Sequence, residues 1–372
     1  MDRANRGSVV RSVRLATWLL TATLCALPVR RALAEPYIAV QQGLACAQCH
    51  VNPTGGGARN ALGNAIAQTQ LAARALPASA PAWNGTVNQW FAVGGDLRAA
   101  ATWQHTAGSS ARSNLSFEQL RAYLAVSVVP ERLLFYVDEQ LAPDNAVNRE
   151  AWVMYRSAAA HWYAKAGRMY LPFGLRLQDQ QAYTRQVAGI NMDTPDNALE
   201  LGWQQGKWEA QFALSGGLAG GSSANSGLQY GLQLVRVVDR WRVGAGLDRN
   251  DNAAARSRSA ALFAGLRTAR LAWLAEVDLV QAARSNASDA QFAAALLECN
   301  WHVAPGINLK LTGEWLDPDR RRPDDLQQRH SVVFEYTPFP YIQLRAGARS
   351  ASAAQSSAAD SRQAFFEVHA YL

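Results

Sequence analysis

Beyond residue 34 the sequence has no apolar run approaching the ~20 residues that a membrane-crossing helix needs, which excludes a helical membrane protein. It also lacks a surplus of positive charge where one would matter. The 372-residue chain carries a formal +7, but six arginines and one acid fall in residues 1–34, and the remainder holds 30 basic against 28 acidic residues. So even a balance leaves no electrostatic footprint for nucleic acid, which is not expected as a partner. Charged residues are sparse at 17%, yet 49% hydrophobic content is too high for a disordered chain. Cysteine and methionine are scarce, four of each, so every one of them can be weighed individually.

Residues 1–34 read as a secretory signal. Arg3, Arg6, Arg11 and Arg14 precede the apolar stretch Leu15–Leu27, and Ala32-Leu33-Ala34 forms a small-residue cleavage site before Glu35. Cys25 and Met1 belong to this segment, and Leu24 ahead of Cys25 is not the small residue usual before a lipidated cysteine. The exported chain keeps Cys46, Cys49 and Cys299, with Met154, Met169 and Met192.

Two of these cysteines lie in Cys46-Ala47-Gln48-Cys49-His50, the attachment pattern of a covalently bound c-type haem. Two thiols at this spacing match the two haem vinyl groups, and the histidine that follows falls under the iron as its proximal ligand. A zinc site would need four ligands, and the nearest other Cys or His is His105. A disulfide between Cys46 and Cys49 would leave His50 without a role. One haem c per chain is therefore expected, held by Cys46, Cys49 and His50.

Val51-Asn52-Pro53-Thr54-Gly55-Gly56-Gly57 then reads as a loop, and Arg59–Leu76 as a helix with Leu62, Ile66, Thr69, Ala73 and Leu76 on one face, stopped by Pro77 and Pro81. Residues 35–84 form a module too small to bury a haem unaided, so the haem must lean on the rest of the chain.

From residue 85 to 372 the period becomes two. In Phe91–Trp103 the odd positions are apolar and Asp96 and Arg98 take even ones, and fifteen further segments between 115–129 and 362–372 repeat the alternation. Tight turns are expected at 129–131, 157–159, 205–206, 238–239, 269–270, 304–305 and 337–339, alternating with longer polar loops. The fold class expected is all-β, a 16-stranded antiparallel transmembrane β-barrel in outer-membrane lipid. Trp162, Trp203, Trp208, Trp241, Trp273 and Trp301 share the outward phase beside the tight turns, with Trp103 and Trp315 at the other rim, as two aromatic girdles would require.

Gly167-Arg168-Met169-Tyr170-Leu171-Pro172-Phe173-Gly174 resembles a run found in sixteen-stranded porins of the phosphate-selective type, and Glu314–Asp319 and Tyr336–Tyr341 are porin-like as well. A haem signature ahead of such a barrel is similar to the outer-membrane cytochrome–porin fusions, whose known functional class is the monohaem iron oxidases. Sixteen is even and the tight turns mark the periplasmic rim, so both termini are expected there and the haem module is expected to plug the lumen from the periplasmic side. The resemblance implies electron transfer between extracellular Fe(II), or another external donor, and a periplasmic c-type cytochrome or other electron carrier. The other reading is a solute porin whose haem segment is a cap or docking tag.

No methionine lies in residues 35–84, so the distal iron ligand is open. His161, His302 and His369 share the inward phase of their strands near the tight-turn rim, and the long connection 171–197 is able to fold into the pore and carry Met192 inward. Charge predicted to face the lumen is mixed, with Asp96, Arg98, Arg121, Asp138, Glu276, Asp278, Lys310 and Arg345 among it, and Cys299 is outward and inert. The acidic and basic residues of 317–325 read as a solvated loop.

Overall fold

A computed structural model of the protein describes residues 35–77, 79–190, 194–216, 227–251, 256–284, 287–354 and 360–372. The expected signal segment 1–34 and Met192 therefore lie outside the described residues.

Among the described residues three short helices come first: α1 (Pro36–Gln42), α2 (Cys46–Cys49) and α3 (Ala61–Thr69). Sixteen strands follow, from β1 (Phe91–Thr106) and β2 (Arg112–Val129) to β15 (Ile342–Ala353) and β16 (Ser361–Tyr371). All pairs are antiparallel neighbours in sequence, and β1 pairs with β16 from Asp96↔Tyr371 to Thr106↔Ser361, closing the barrel. Closure leaves no strand edge, so every rung of the ladder is satisfied without water.

Parity sorts the side chains as the sequence predicts. Leu199, Leu201 and Leu262 stand 60%, 59% and 66% exposed on the outside, while Glu200, Asp278 and Glu298 on the alternate positions are buried inside. Trp162, Trp203, Trp208, Trp241 and Trp301 are all exposed at the tight-turn end. Cys299 sits between the exposed Leu297 and Trp301 on the outward face of β12 (Ala287–Ala304).

Six of the seven tight turns carry a left-handed residue: Glu131, Ala160, Gly206, Ala269, Gly306 and Tyr341. This matches the twist of the strands they join. Among the expected boundaries that move, two shift for a visible reason. The last tight turn is Pro340-Tyr341 rather than 337–339, because β14 (Gln327–Phe339) continues through Pro338, with a register shift between Tyr336 and Phe339. The polar loop expected between 282 and 289 is largely taken up by longer β11 (Leu271–Arg284) and β12, which pair as far as Arg284↔Ala287.

The connection between β5 (Trp162–Met169) and β6 (Asp196–Gln205) folds inward, as its length predicts, and carries α4 (Tyr183–Val187). Leu171, Phe173, Leu175 and Leu177 are buried along it. The backbone N–H of Leu175 donates to Glu276 (3.0 Å) and that of Tyr183 to Glu314 (2.8 Å), while Asp179 pairs with Arg349. Gly174 (φ 59°) is required where the loop meets the wall, since a Cβ there would stand 1.9 Å from Glu276 Oε1.

Candidate functional site

The segment from Glu35 to Arg74 lies in the lumen at the tight-turn end and touches the wall on opposite sides. On the side of β3 (Leu133–Ala142) to β5, the N–H of Ala58 donates to Tyr136 Oη (3.1 Å), and Asn52 Nδ2 donates to both oxygens of Glu150 (3.1 and 3.2 Å). Asn52 Oδ1 accepts from Lys165 Nζ (3.3 Å), which is itself paired with Glu200 at 3.1 Å. Across the lumen, Tyr37 donates to Glu335 (3.1 Å), Glu35 pairs with Lys310, and Arg267 donates to Gln41 O (2.8 Å). The N–H groups of Ala73 and Arg74 donate to the carbonyls of Thr337 and Pro338 (2.8 and 3.1 Å). Those last bonds account for a shortened α3. The expected helix to Leu76 ends at Thr69, because the chain beyond it turns to dock on β14, and Leu62, expected on the apolar face, is 45% exposed.

Within this segment the Cys-x-x-Cys-His run is one turn of helix followed by an extended residue. Asn60 binds it to the next helix: its Oδ1 caps α3 by accepting from the Gly63 N–H (3.0 Å), and its Nδ2 donates to the carbonyls of Ala47 and Gln48 (3.3 and 3.0 Å). The loop 51–58 doubles back, with the Val51 N–H donating to Ala58 O (3.0 Å) and His50 bridged to Arg59. Gly55, Gly56 and Gly57 all have positive φ, and at Gly57 a Cβ would also stand 2.1 Å from Tyr136 Oη. Only glycine fits there.

Cys46 and Cys49 are free thiols, so the disulfide alternative is not formed. Burial and the neighbouring Cys46 push the Cys49 thiol up to about 11, with Arg59 opposing. Desolvation, reinforced by Arg59 and Arg176 and opposed by the backbone at Gly57 and Ala58, holds the His50 imidazole down to about 4. It is therefore neutral near pH 7, the form that ligates a metal. Its Nδ1 is buried without a hydrogen-bond partner.

These three residues line a cavity of about 180 Å³ between the segment, the β5–β6 loop and the wall, together with Arg59, Arg176 and His369. Glu35, Arg98, Gln119 and Gln178 also border a second cavity of about 190 Å³ toward the long-loop end. Cofactor sites span ~300–1,000 Å³, so a macrocycle is accommodated only with the two spaces joined. The donor set otherwise fits a c-type haem: two thiols one helical turn apart, a neutral histidine next to them, and apolar Leu44, Ile66 and Phe263 on the cavity wall.

The distal candidates separate. His369 lines the same cavity as His50; its Nε2 lies 2.9 Å from Asp96 Oδ2 and its Nδ1 3.2 Å from Gln343 Oε1. To ligate iron it would exchange one of these partners. His302 is buried on β12 but does not border the cavity. His161 corrects the parity argument. The strand begins at Trp162, so His161 falls in the turn and is exposed rather than inward. Met154 and Met169 are fully buried in the apolar cluster of Ala58, Tyr136, Trp152 and Phe173, away from the cavity.

Tyr136 and Trp152, stacked at 4.7 Å, and the polar pair Glu150 and Lys165 were not anticipated as docking residues. The signal was present: inward phase puts two large aromatics where a water-filled lumen would carry polar groups.

The fold is that of the sixteen-stranded outer-membrane porins. No protein-family model matches the chain, and no curated protein matches it. Among solved structures it is similar to an anion-selective porin from Comamonas acidovorans, with a TM-score of 0.62 and 10% identity over 76% of this chain and 99% of that one. The outer membrane channel DcaP of Acinetobacter baumannii matches with a TM-score of 0.61 and 11% identity, over 77% and 99% of the two chains. OprB of Pseudomonas putida matches with a TM-score of 0.56 and 10% identity, over 76% and 94%. The share of this chain matched corresponds to the length from β1 to β16.

Proposed function

We propose that the protein is an outer-membrane electron conduit, in which residues 35–84 carry one covalent haem c and block the lumen from the periplasmic side. The observation that carries this reading is the Cys46-Ala-Gln-Cys49-His50 turn facing a lumenal cavity, within a segment bonded to opposite walls of the barrel. When bound, the haem supplies one-electron chemistry. Cys46 and Cys49 would hold it through thioethers, His50 would ligate the iron from the proximal side, and His369 is the distal candidate that borders the same space. The wall and the β5–β6 loop would shield the group from bulk water. External Fe(II), or another external donor, would reduce it from the long-loop mouth, and a periplasmic c-type cytochrome would take the electron at the tight-turn end.

The resemblance in fold to porins and channels favours a second reading, a solute pore capped by the segment. Two measurements on one preparation separate them. Haem staining of the denatured protein with a reduced-minus-oxidised c-type spectrum supports the conduit, and near-closed conductance in planar bilayers supports a blocked lumen. Ordinary porin conductance, with or without haem staining, would establish the second reading. His369→Ala tests the distal ligand: an unchanged spectrum excludes it.

A further inference from the structure

We propose that Arg242, on β9 (Trp241–Asn250), anchors the carboxylate edge of the haem, so that the macrocycle lies across the lumen with its thioether edge toward β16 and its propionates against the wall of β8 (Gln229–Val238) and β9. This rests on the haem reading above and adds the orientation and the anion site.

The covalent attachments fix one edge. Cys49 packs against Ile66, Leu71 and Tyr371, with Tyr341 beside them, which places it on the β16 side of the lumen. Vinyls and propionates lie on opposite edges of the haem macrocycle, so thioether bonds at Cys46 and Cys49 direct the two carboxylates away from that side. In the closed strand order β9 stands eight strands from β1 in either direction, and so faces β1 and its neighbour β16 across the lumen. The cavity reaches that far wall, where Gln233, Arg242 and Phe263 line it.

Arg242 is built to meet an anion there. It is 7% exposed, and its buried Nε has no hydrogen-bond partner. Among the described residues no carboxylate lies within ion-pair distance of it, whereas Arg98 is held by Asp96 and Arg121 by Asp138. The other cations on the cavity are also engaged or misplaced. Arg176 spends both terminal nitrogens on the carbonyls of Gly55 and Tyr170 (2.9 and 3.0 Å), Arg185 donates to Gln178 O (3.4 Å), and Arg59 lies over the Tyr371 ring on the thioether side. The Arg242 stem is held in place by Gly265 of β10 (Ser257–Thr268) and by α1. A Cβ on Gly265 would stand 3.1 Å from Arg242 Cγ and 2.4 Å from Val40 Cγ2, so the missing side chain makes room for both. Only the buried Glu209, beyond ion-pair distance, acts on it electrostatically. A guanidinium desolvated with so little counter-charge is costly, and a carboxylate is the group that matches its geometry.

The test is Arg242→Gln in the full chain, with covalent haem confirmed by staining, followed by redox titration and redox-difference infrared spectra in the carboxylate region. Loss of the cation disfavours the ferrous form relative to the ferric. The expected result is about a tenfold fall in the reduction equilibrium constant, a potential lower by about 59 mV for one electron, with a shifted propionate band. Arg242→Lys keeps the charge and should retain most of the potential while still moving the band. Arg240→Gln, in the exposed turn beside β9, should change neither. A stained Arg242→Gln protein with unaltered potential and band overturns the proposal. If Arg242→Gln does not accumulate as a barrel, Arg242→Lys decides: an unmoved band overturns it. Absence of haem staining in the unsubstituted protein would instead overturn the haem reading on which this rests.

Discussion

Each strand of the wall is paired with two neighbours along most of its length, so the barrel's stability is spread over sixteen ladders and depends on no single residue. The segment inside it has a nine-residue helix as its longest element and is held by separate polar bonds to the wall, each worth about 1 kcal/mol net. The difference teaches a dependence in one direction. The barrel supplies the partners that let residues 35–74 keep one conformation, whereas the barrel's own ladder is complete without them.

The strongest break of that comparison is removal of residues 35–84. The shortened protein should still form a heat-modifiable barrel, and its conductance should rise at least about tenfold, toward that of an open lumen of this strand number. A barrel that no longer assembles would show that the dependence runs both ways. Next in size is the double substitution Cys46→Ala, Cys49→Ala. Gel staining for haem should disappear while heat-modifiability persists, and staining that survives would overturn attachment at Cys46 and Cys49.

Single wall residues sharpen the contrast further. Lys165 and Glu200 are paired with both side chains fully buried, so Lys165→Ala leaves an uncompensated carboxylate and should cost about 3–5 kcal/mol in denaturant unfolding. Asn52→Ala removes the link from the segment to that pair and should cost about 1–3 kcal/mol, read as protease sensitivity of the segment with the barrel intact. At the small end, Cys299→Ser on the outer face should leave haem staining unchanged and stability within about 0.5 kcal/mol.

The wall was legible in the sequence because its residues obey one rule, alternation, repeated often enough that misjudging a boundary does little harm. Its errors sit at the turns: pairing continues past Pro338 in β14 and out to the ends of β11 and β12, whereas β5 opens only at Trp162 and leaves His161 in the turn. The Cys46-x-x-Cys49-His50 spacing stands out in the sequence too, and its reading as a haem attachment run belongs to the proposal. What surrounds it was not. Asn52 meeting Glu150, Ala58 meeting Tyr136 and the early end of α3 on β14 join residues far apart in the chain, and no local period marks them. Inward Trp152 and Tyr136 were the one local hint that this lumen is filled.

The most direct test of the central claim uses vesicles holding the full-length protein, with oxidised soluble cytochrome c and a small fluorescent dye trapped inside and Fe(II) added outside. The account predicts reduction of the trapped cytochrome while the dye is retained, because an electron crosses where a solute does not. Release of the dye, or no reduction by protein that stains for haem, would contradict it.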